Sequence, residues 1–232
     1  MAIEVSEVAG CRTITIDRPP VNALDLDAIV ALDAAFVAAA SDRPRGVVLT
    51  GAGSAFCAGV DTRAFGGYDR ATRHDMVRAI TRMVAALLAI PVPVVTAVNG
   101  HALGGGFVLM LGGDYRLVAD AAGAKLGLTE AKAGVPFPAG PTEVIAAELA
   151  PSLLRRLTLT SATLSPAEAV AADIADALVA PEDLIAQACS VAAAMAAQPA
   201  FGAVKQQVRG PLAARLAALA VSGEEPFLAA FG

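Results

Sequence analysis

Three observations predict an α/β (α+β) fold: short apolar or alternating runs recur between stretches of helical period, two glycine-dense turns each follow a strand-like run, and an alanine-rich helical region starts at Pro181. In chain order, Ile3 to Val8 and Cys11 to Asp17 alternate around Ala9-Gly10 and read as a β-hairpin. After Asn22, residues Leu24, Ala28, Ile29, Leu32, Ala35 and Phe36 recur at helical spacing, and Asp25 and Asp27 suit the positive end of that helix. Gly46 to Thr50 is a strand that runs into the small-residue turn Gly51-Ala-Gly-Ser-Ala-Phe-Cys-Ala-Gly-Val-Asp61. Gly66-Gly-Tyr-Asp69 reads as a short loop, about Ala71 to Leu88 as a helix, and Val92 to Val98 as a buried strand. The second turn, Val98-Asn-Gly-His-Ala-Leu-Gly-Gly-Gly106, opens a buried helix over Gly105 to Leu111, and Tyr115 to Ala119 and Ala124 to Leu128 read as further short strands.

Gly134-Val-Pro-Phe-Pro138 is too proline-rich for a helix interior, and beyond it the chain is mainly helical. Ser165-Pro-Ala-Glu168 starts a helix with serine as N-cap, proline in the first position and glutamate completing a capping box. Pro181 to Ala197 and about Phe201 to Ala220 read as amphipathic helices, which divides the chain softly into a core, 1–180, and a helical segment, 181–232, suited to burial against a partner subunit.

With 232 residues, 56% hydrophobic and 17% charged, the chain can bury one sizeable core plus an appendage. A formal net charge of -5 gives no basic surface for nucleic acid, and an aromatic content of 4% gives few stacking platforms. Cys11, Cys57 and Cys189 are odd in number and far apart, which favours a reducing compartment over a disulfide framework. Two histidines, His74 and His101, are too few for a His-rich metal site. Met83 to Gly113 contains no Asp, Glu, Lys or Arg, yet Pro91, Pro93 and the glycine run break it before ~20 helical residues could span a bilayer. It reads as the centre of a large core. The alternating residues at the N-terminus lack a signal-peptide pattern, so the expectation is a cytoplasmic protein without membrane or nucleic-acid partners.

Three adjacent glycines waste conformational entropy in an ordinary helix or strand, and they serve best where backbone N–H groups must approach a ligand unobstructed. Two such turns point to one oxyanion hole. Gly51-Ala-Gly-Ser-Ala-Phe56 imitates a dinucleotide fingerprint, but phenylalanine holds the third glycine position and no helix starts there, so a Rossmann site is set aside.

The order and spacing of Pro20-Val-Asn-Ala-Leu24, Ala55-Phe-Cys-Ala-Gly-Val-Asp61, Val98 to Gly106, Gly127-Leu-Thr-Glu130, Gly134 to Gly140 and Leu159 to Ala169 resemble the crotonase superfamily of enoyl-CoA hydratases and isomerases. The resemblance covers nearly the whole chain. It implies a crotonase-like spiral of repeated ββα units with a C-terminal helical oligomerisation region, assembled as a homotrimer or a dimer of trimers. It also implies an acyl-CoA substrate, with coenzyme A carried as part of the thioester and no separate cofactor or metal. The implied backbone donors are Val60 and Gly105, and the implied proton carrier is Glu130, flanked by apolar residues. Each such donor is worth on the order of 3 kcal/mol toward a developing oxyanion in comparable sites.

Carried over in the same way, Val21, Ala23, Ala58, Val60, Asp61, Arg63 and Gly105 contact the CoA part, and Lys205 and Arg209 reach a neighbouring subunit's CoA. Members resembling hydratases place a second glutamate on the helix after the triple glycine, where this chain has Val108. One carboxylate suits double-bond isomerisation better than hydration. Asp61, Asp69, Asp75 and Glu143 are the candidates for a replacement acid, while His74 reads as a surface residue and His101 as ordering its turn. Phe65, Val108 and Phe137 are expected along the acyl pocket. A binding protein without turnover, thioester hydrolysis and decarboxylation are the other readings that the fold allows.

Overall fold

Val47 to Leu49 and Val94 to Val98 are buried without a polar face because the strands they form are covered on both sides. The computed structural model describes residues 2–8 and 10–231. Its elements run β1 (Ile3–Val8), β2 (Cys11–Ile16), α1 (Leu26–Asp42), β3 (Val47–Gly51), β4 (Ala55–Cys57), α2 (Thr62–Gly67), α3 (Arg70–Leu88), β5 (Val94–Val98), β6 (His101–Leu103) and α4 (Gly105–Leu111). There follow β7 (Tyr115–Ala119), β8 (Leu126–Gly127), α5 (Glu130–Ala133), α6 (Ala139–Glu148), α7 (Pro151–Thr160), β9 (Thr163–Leu164), α8 (Pro166–Ala171), β10 (Ala177–Val179), α9 (Leu184–Ala196) and α10 (Phe201–Ser222). Short 3-10 turns lie at Pro181–Asp183 and Leu228–Phe231. Ala9, which the sequence places in the hairpin turn, lies outside the described residues.

The strands form two sheets, β1-β2-β3-β5-β7-β10 and β4-β6-β8-β9. All neighbours in them are parallel except the pairs β1/β2 and β8/β9. The consecutive strands β3–β4, β5–β6 and β7–β8 each give one member to the large sheet and one to the small, and each pair leads into a helix. This is the expected ββα spiral. Its pitch stacks the ends of β4, β6 and β8 side by side, so chain segments some tens of residues apart leave the small sheet at one place.

Alternate side chains of the large sheet feed two cores. Val47, Leu49, Val94 and Val98 face α1, α3 and α4, while Cys11, Val48, Val95, Ala97, Leu117 and Val179 face Leu184, Ala188, Cys189 and Ala192 of α9. The helices after residue 180 are therefore packed into the molecule, α9 on the large sheet and α10 on α3. Asp25 caps α1 by accepting from Ala28 N at 2.9 Å, and Ser165 with Glu168 completes the expected capping box. Gly66 and Gly67 are not a loop: they finish α2, with Tyr68 as the C-cap and Asp69 capping α3 through Thr72 N at 2.8 Å. No single helix among the described residues is long and apolar enough to cross a membrane.

Lys205 and Arg209 also depart from expectation, because both side chains are engaged within their own chain. The uncharged run ends at Asp114, whose carboxylate is 8% exposed, and a charge so placed needs a cation beside it. Lys205 Nζ meets it at 2.5 Å and donates to Val92 O at 2.9 Å. Arg209 donates to Gly113 O and to Glu148 Oε1, each at 2.7 Å, and Glu148 also pairs with Arg116. Burial pushes the Lys205 ammonium below its ordinary pKa, and Asp114 pulls it back up. Lys205→Met is expected to lower unfolding stability by about 3–5 kcal/mol, the usual result of stripping a buried ion of its partner. Urea denaturation measures it, and a loss below about 1 kcal/mol would mean that the pair is solvated.

Candidate active site

The small sheet brings the two glycine turns into backbone contact. β4 pairs with β6, and the chain leaving β4 turns at Gly59, which has φ +83. A Cβ there would lie 2.8 Å from Leu103 O and 2.9 Å from Gly105 N, so only glycine lets the turns approach this closely. A Cβ on Gly105 would sit 4.0 Å from Val60 N, which puts the two expected donors side by side. Gly105 is the first residue of α4, where an N–H has no intrahelical acceptor. Neither Val60 N nor Gly105 N donates to an acceptor among the described residues.

Glu130 comes to the same place on the third turn of the spiral. Gly104 N donates to Gly127 O at 2.9 Å, fixing β8 beside β6, and three residues later Glu130 opens α5. Gly104 has φ +53, and a Cβ on it would lie 3.1 Å from Glu130 Oε1, so the missing side chain is the space that the carboxylate uses. Oε2 is shielded from solvent and has no hydrogen-bond partner among the described residues. Burial raises the pKa of Glu130 to about 7, while the backbone N–H groups of Glu130 and Thr129 partly offset that rise.

Glu130, Val60 and Gly105 line one cavity of about 80 Å³, together with Phe65, Val77, Ile80, Pro138, Pro141 and Phe231. Glu130 is the only titratable side chain among the described residues of that lining. Val108 is 1% exposed and lines a smaller apolar space of about 20 Å³ behind Val60 and Gly105. Phe137 packs on the main core, while its neighbours Pro136 and Pro138 reach the cavity. Phe231 went unnoticed in the sequence, where no local pattern marks a single aromatic far from both turns.

None of the four replacement acids lines this cavity. Asp61 caps α2, accepting from Arg63 N at 3.1 Å and Ala64 N at 3.0 Å, and receives Arg18 Nη1 at 2.8 Å. The bond from Ala64 N, then that from Arg18, holds its pKa below the ordinary value. Asp69 caps α3, Asp75 pairs with Arg78, and Glu143 pairs with Arg215. His74 is half-buried rather than at the surface, with Nε2 shielded and unpartnered among the described residues. His101 Nδ1 accepts from Lys125 N at 3.1 Å, which ties the second turn to the approach to β8.

Outside the cavity an open groove of about 700 Å³ is lined by Arg18, Pro19, Pro20, Val21, Ala23, Ala58, Val60, Asp61, Thr62 and Arg63. The sequence-derived contact set therefore converges on one surface, with Gly105 just inside it. Hydrogen bonds stitch the groove to the donor turn: Ala58 N to Val21 O at 3.1 Å, Leu24 N to Gly59 O at 2.7 Å and Asp61 N to Leu24 O at 2.8 Å. Arg18 bridges Asp25 and Asp61 across the same seam. Taken together, two free N–H groups, one protonatable carboxyl and an apolar wall can stabilise an anion on a carbonyl oxygen and move a proton to or from a neighbouring carbon.

The sequence model of the enoyl-CoA hydratase/isomerase family matches residues 6–225, and the chain belongs to that family. A carnitinyl-CoA dehydratase of Salmonella arizonae is 33% identical over 154 residues, which span 66% of this chain and 58% of that protein. A probable enoyl-CoA hydratase of Mycobacterium bovis is 36% identical over 118 residues, or 50% of this chain and 46% of that protein. The chain thus matches about half the length of these curated relatives.

Among solved structures, enoyl-CoA hydratase EchA3 of Mycobacterium ulcerans superposes with a TM-score of 0.87 at 26% identity, covering 100% of both chains. An enoyl-CoA isomerase of Mycobacterium tuberculosis gives 0.85 at 27% identity, covering 96% of this chain and 97% of that one.

A carboxyl that is more basic in the folded state than in the unfolded chain favours the fold while protonated. That contribution is complete below the ordinary value of 4.5 and is lost as pH rises through about 7. Glu130→Gln is therefore expected to be more stable than the parent at pH 8, by up to about 3 kcal/mol, and to lose that advantage toward pH 4.5. Thermal melts across this range decide it, and an advantage independent of pH would mean that the carboxyl titrates normally.

Proposed function

We propose that the protein is an enoyl-CoA isomerase that moves a double bond in an acyl-CoA thioester with one carboxylate as proton carrier. In this reading the thioester oxygen accepts hydrogen bonds from Val60 N and Gly105 N. Glu130 takes a proton from C2 of a 3-enoyl-CoA, the C2–H electron pair enters the enolate, and the charge rests on the oxygen between the two donors. The dienolate then takes the proton from Glu130 at C4, leaving the 2-enoyl thioester and the carboxylate restored. Nothing is consumed.

The observation that carries this reading is that Glu130 alone, among the described cavity residues, can exchange a proton. Hydration is the other reaction suggested by the names of the relatives, and it requires a water held against C3. The space around Val108 is bounded by apolar side chains, apart from the two backbone donors already assigned to the oxyanion, and a buried water needs two to four polar partners.

The pantetheine and nucleotide of CoA would follow the groove over Val21, Ala23, Ala58 and Asp61, with exposed Arg63 available to a phosphate. CoA enters as part of the substrate, with no separate cofactor. Leu159, Val204 and Val208 are exposed apolar residues on α7 and α10 that suit association into the family's trimer or dimer of trimers.

Adding the protein to a 3-enoyl-CoA should raise the ultraviolet absorbance of the conjugated 2-enoyl thioester, and Glu130→Gln should lower that rate by about 10² to 10⁴. Because the base works deprotonated, kcat/KM should rise with pH and level off above about 7. Water addition to a 2-enoyl-CoA without any isomerisation would overturn the proposal in favour of hydration.

A further inference from the structure

Phe231 lies far along the chain from the catalytic turns, yet it is 4% exposed and lines the same cavity as Glu130. Its ring meets Phe65 edge to face, with centroids 6.4 Å apart and planes at 77°. Phe65 is held from another side by Arg73, whose guanidinium lies 5.5 Å from the ring centroid.

The segment that carries Phe231 is tied down upstream. Arg78 Nε donates to Gly223 O at 3.2 Å, and the buried Glu225 carboxylate accepts from Ala139 N, with both oxygens at 3.0 Å. The ring is thus fixed against a wall made by α2, α3 and the start of α6. The cavity behind these walls is about 80 Å³. The thioester carbon and its first neighbours take some of that room.

We propose that Phe231, clasped to Phe65, forms the end wall of the acyl cavity and sets the length of acyl chain that it admits. The proposal deepens the acyl-CoA reading above and rests on it. A longer tail must part the two rings or leave methylenes in water, and each methylene excluded from an apolar pocket costs about tenfold in discrimination.

The test is calorimetric titration of the full chain with saturated acyl-CoAs of increasing length, from butanoyl to dodecanoyl. It is run on the parent, Phe231→Ala, Phe231→Leu and Phe65→Leu, alongside isomerisation rates for 3-enoyl-CoAs over the same lengths. The ratio of long-chain to short-chain affinity is expected to rise about tenfold or more in Phe231→Ala and by less in the two leucine variants, which keep the wall apolar. One length profile shared by all four proteins would overturn the clasp. Isomerisation with an unchanged profile overturns the clasp alone. A profile that broadens in the variants without isomerisation supports the clasp and overturns the reaction, and failure to bind any length overturns both.

Discussion

The site depends on one steric constraint, the contact of two main chains with no side chain between them. Gly59 rests against Leu103, Gly104 and Gly105 at distances that exclude even a methyl group. The rest of the spiral makes that contact possible. The small sheet holds β4 beside β6 and β6 beside β8, so three successive turns of chain reach the same spot from different directions. The two free N–H groups are backbone atoms fixed by the sheet end, so in the proposed role they would need no reorganisation as charge develops before them.

The apolar wall does two jobs that pull against each other. It shields the Glu130 carboxyl from water, which makes that group more basic than an ordinary glutamate, and it leaves the ionised form poorly solvated. The form that would accept a proton in the proposed reaction is therefore the less stable one. Val108 belongs to the same balance: a second carboxylate there would put another charge into a space that holds almost no polar atoms.

Long periodic elements were legible in the sequence. The helix over Gly105 to Leu111, the hairpin strands and the capping box at Ser165 follow from local pattern, and the two donor turns follow from glycine placement. The small sheet was mostly illegible, because strands of two or three residues such as β4, β6 and β9 are too short to show a period. The expected strand from Ala124 shrinks to Leu126–Gly127 for the same reason. Lys205 and Arg209 were expected to reach a neighbouring subunit's CoA, because their partners Asp114 and Glu148 are distant in sequence and leave no local sign of the pairing. Phe231 was missed because Phe65, its partner, lies at the other end of the chain. Gly66 to Asp69 reads as a loop from composition, whereas Asp61 caps a helix that runs through Gly67 and Asp69 caps the next, which leaves only Tyr68 between them.

The seam between Leu24 and Val60 has a mechanical consequence. The outer groove wall and the oxyanion donor share hydrogen bonds through Leu24, Gly59 and Asp61, and Arg18 clamps the N-terminal caps of α1 and α2 to each other. They form one lever. A displacement of the wall at Val21 or Ala23 is passed to Val60 through these bonds, so in the proposed reading a nucleotide seated there would load the bonds that aim the donor. In the proposed reaction, contacts made far from the reacting carbon would thereby bear on its alignment, which is how binding energy in an unreactive handle can be felt in the transition state.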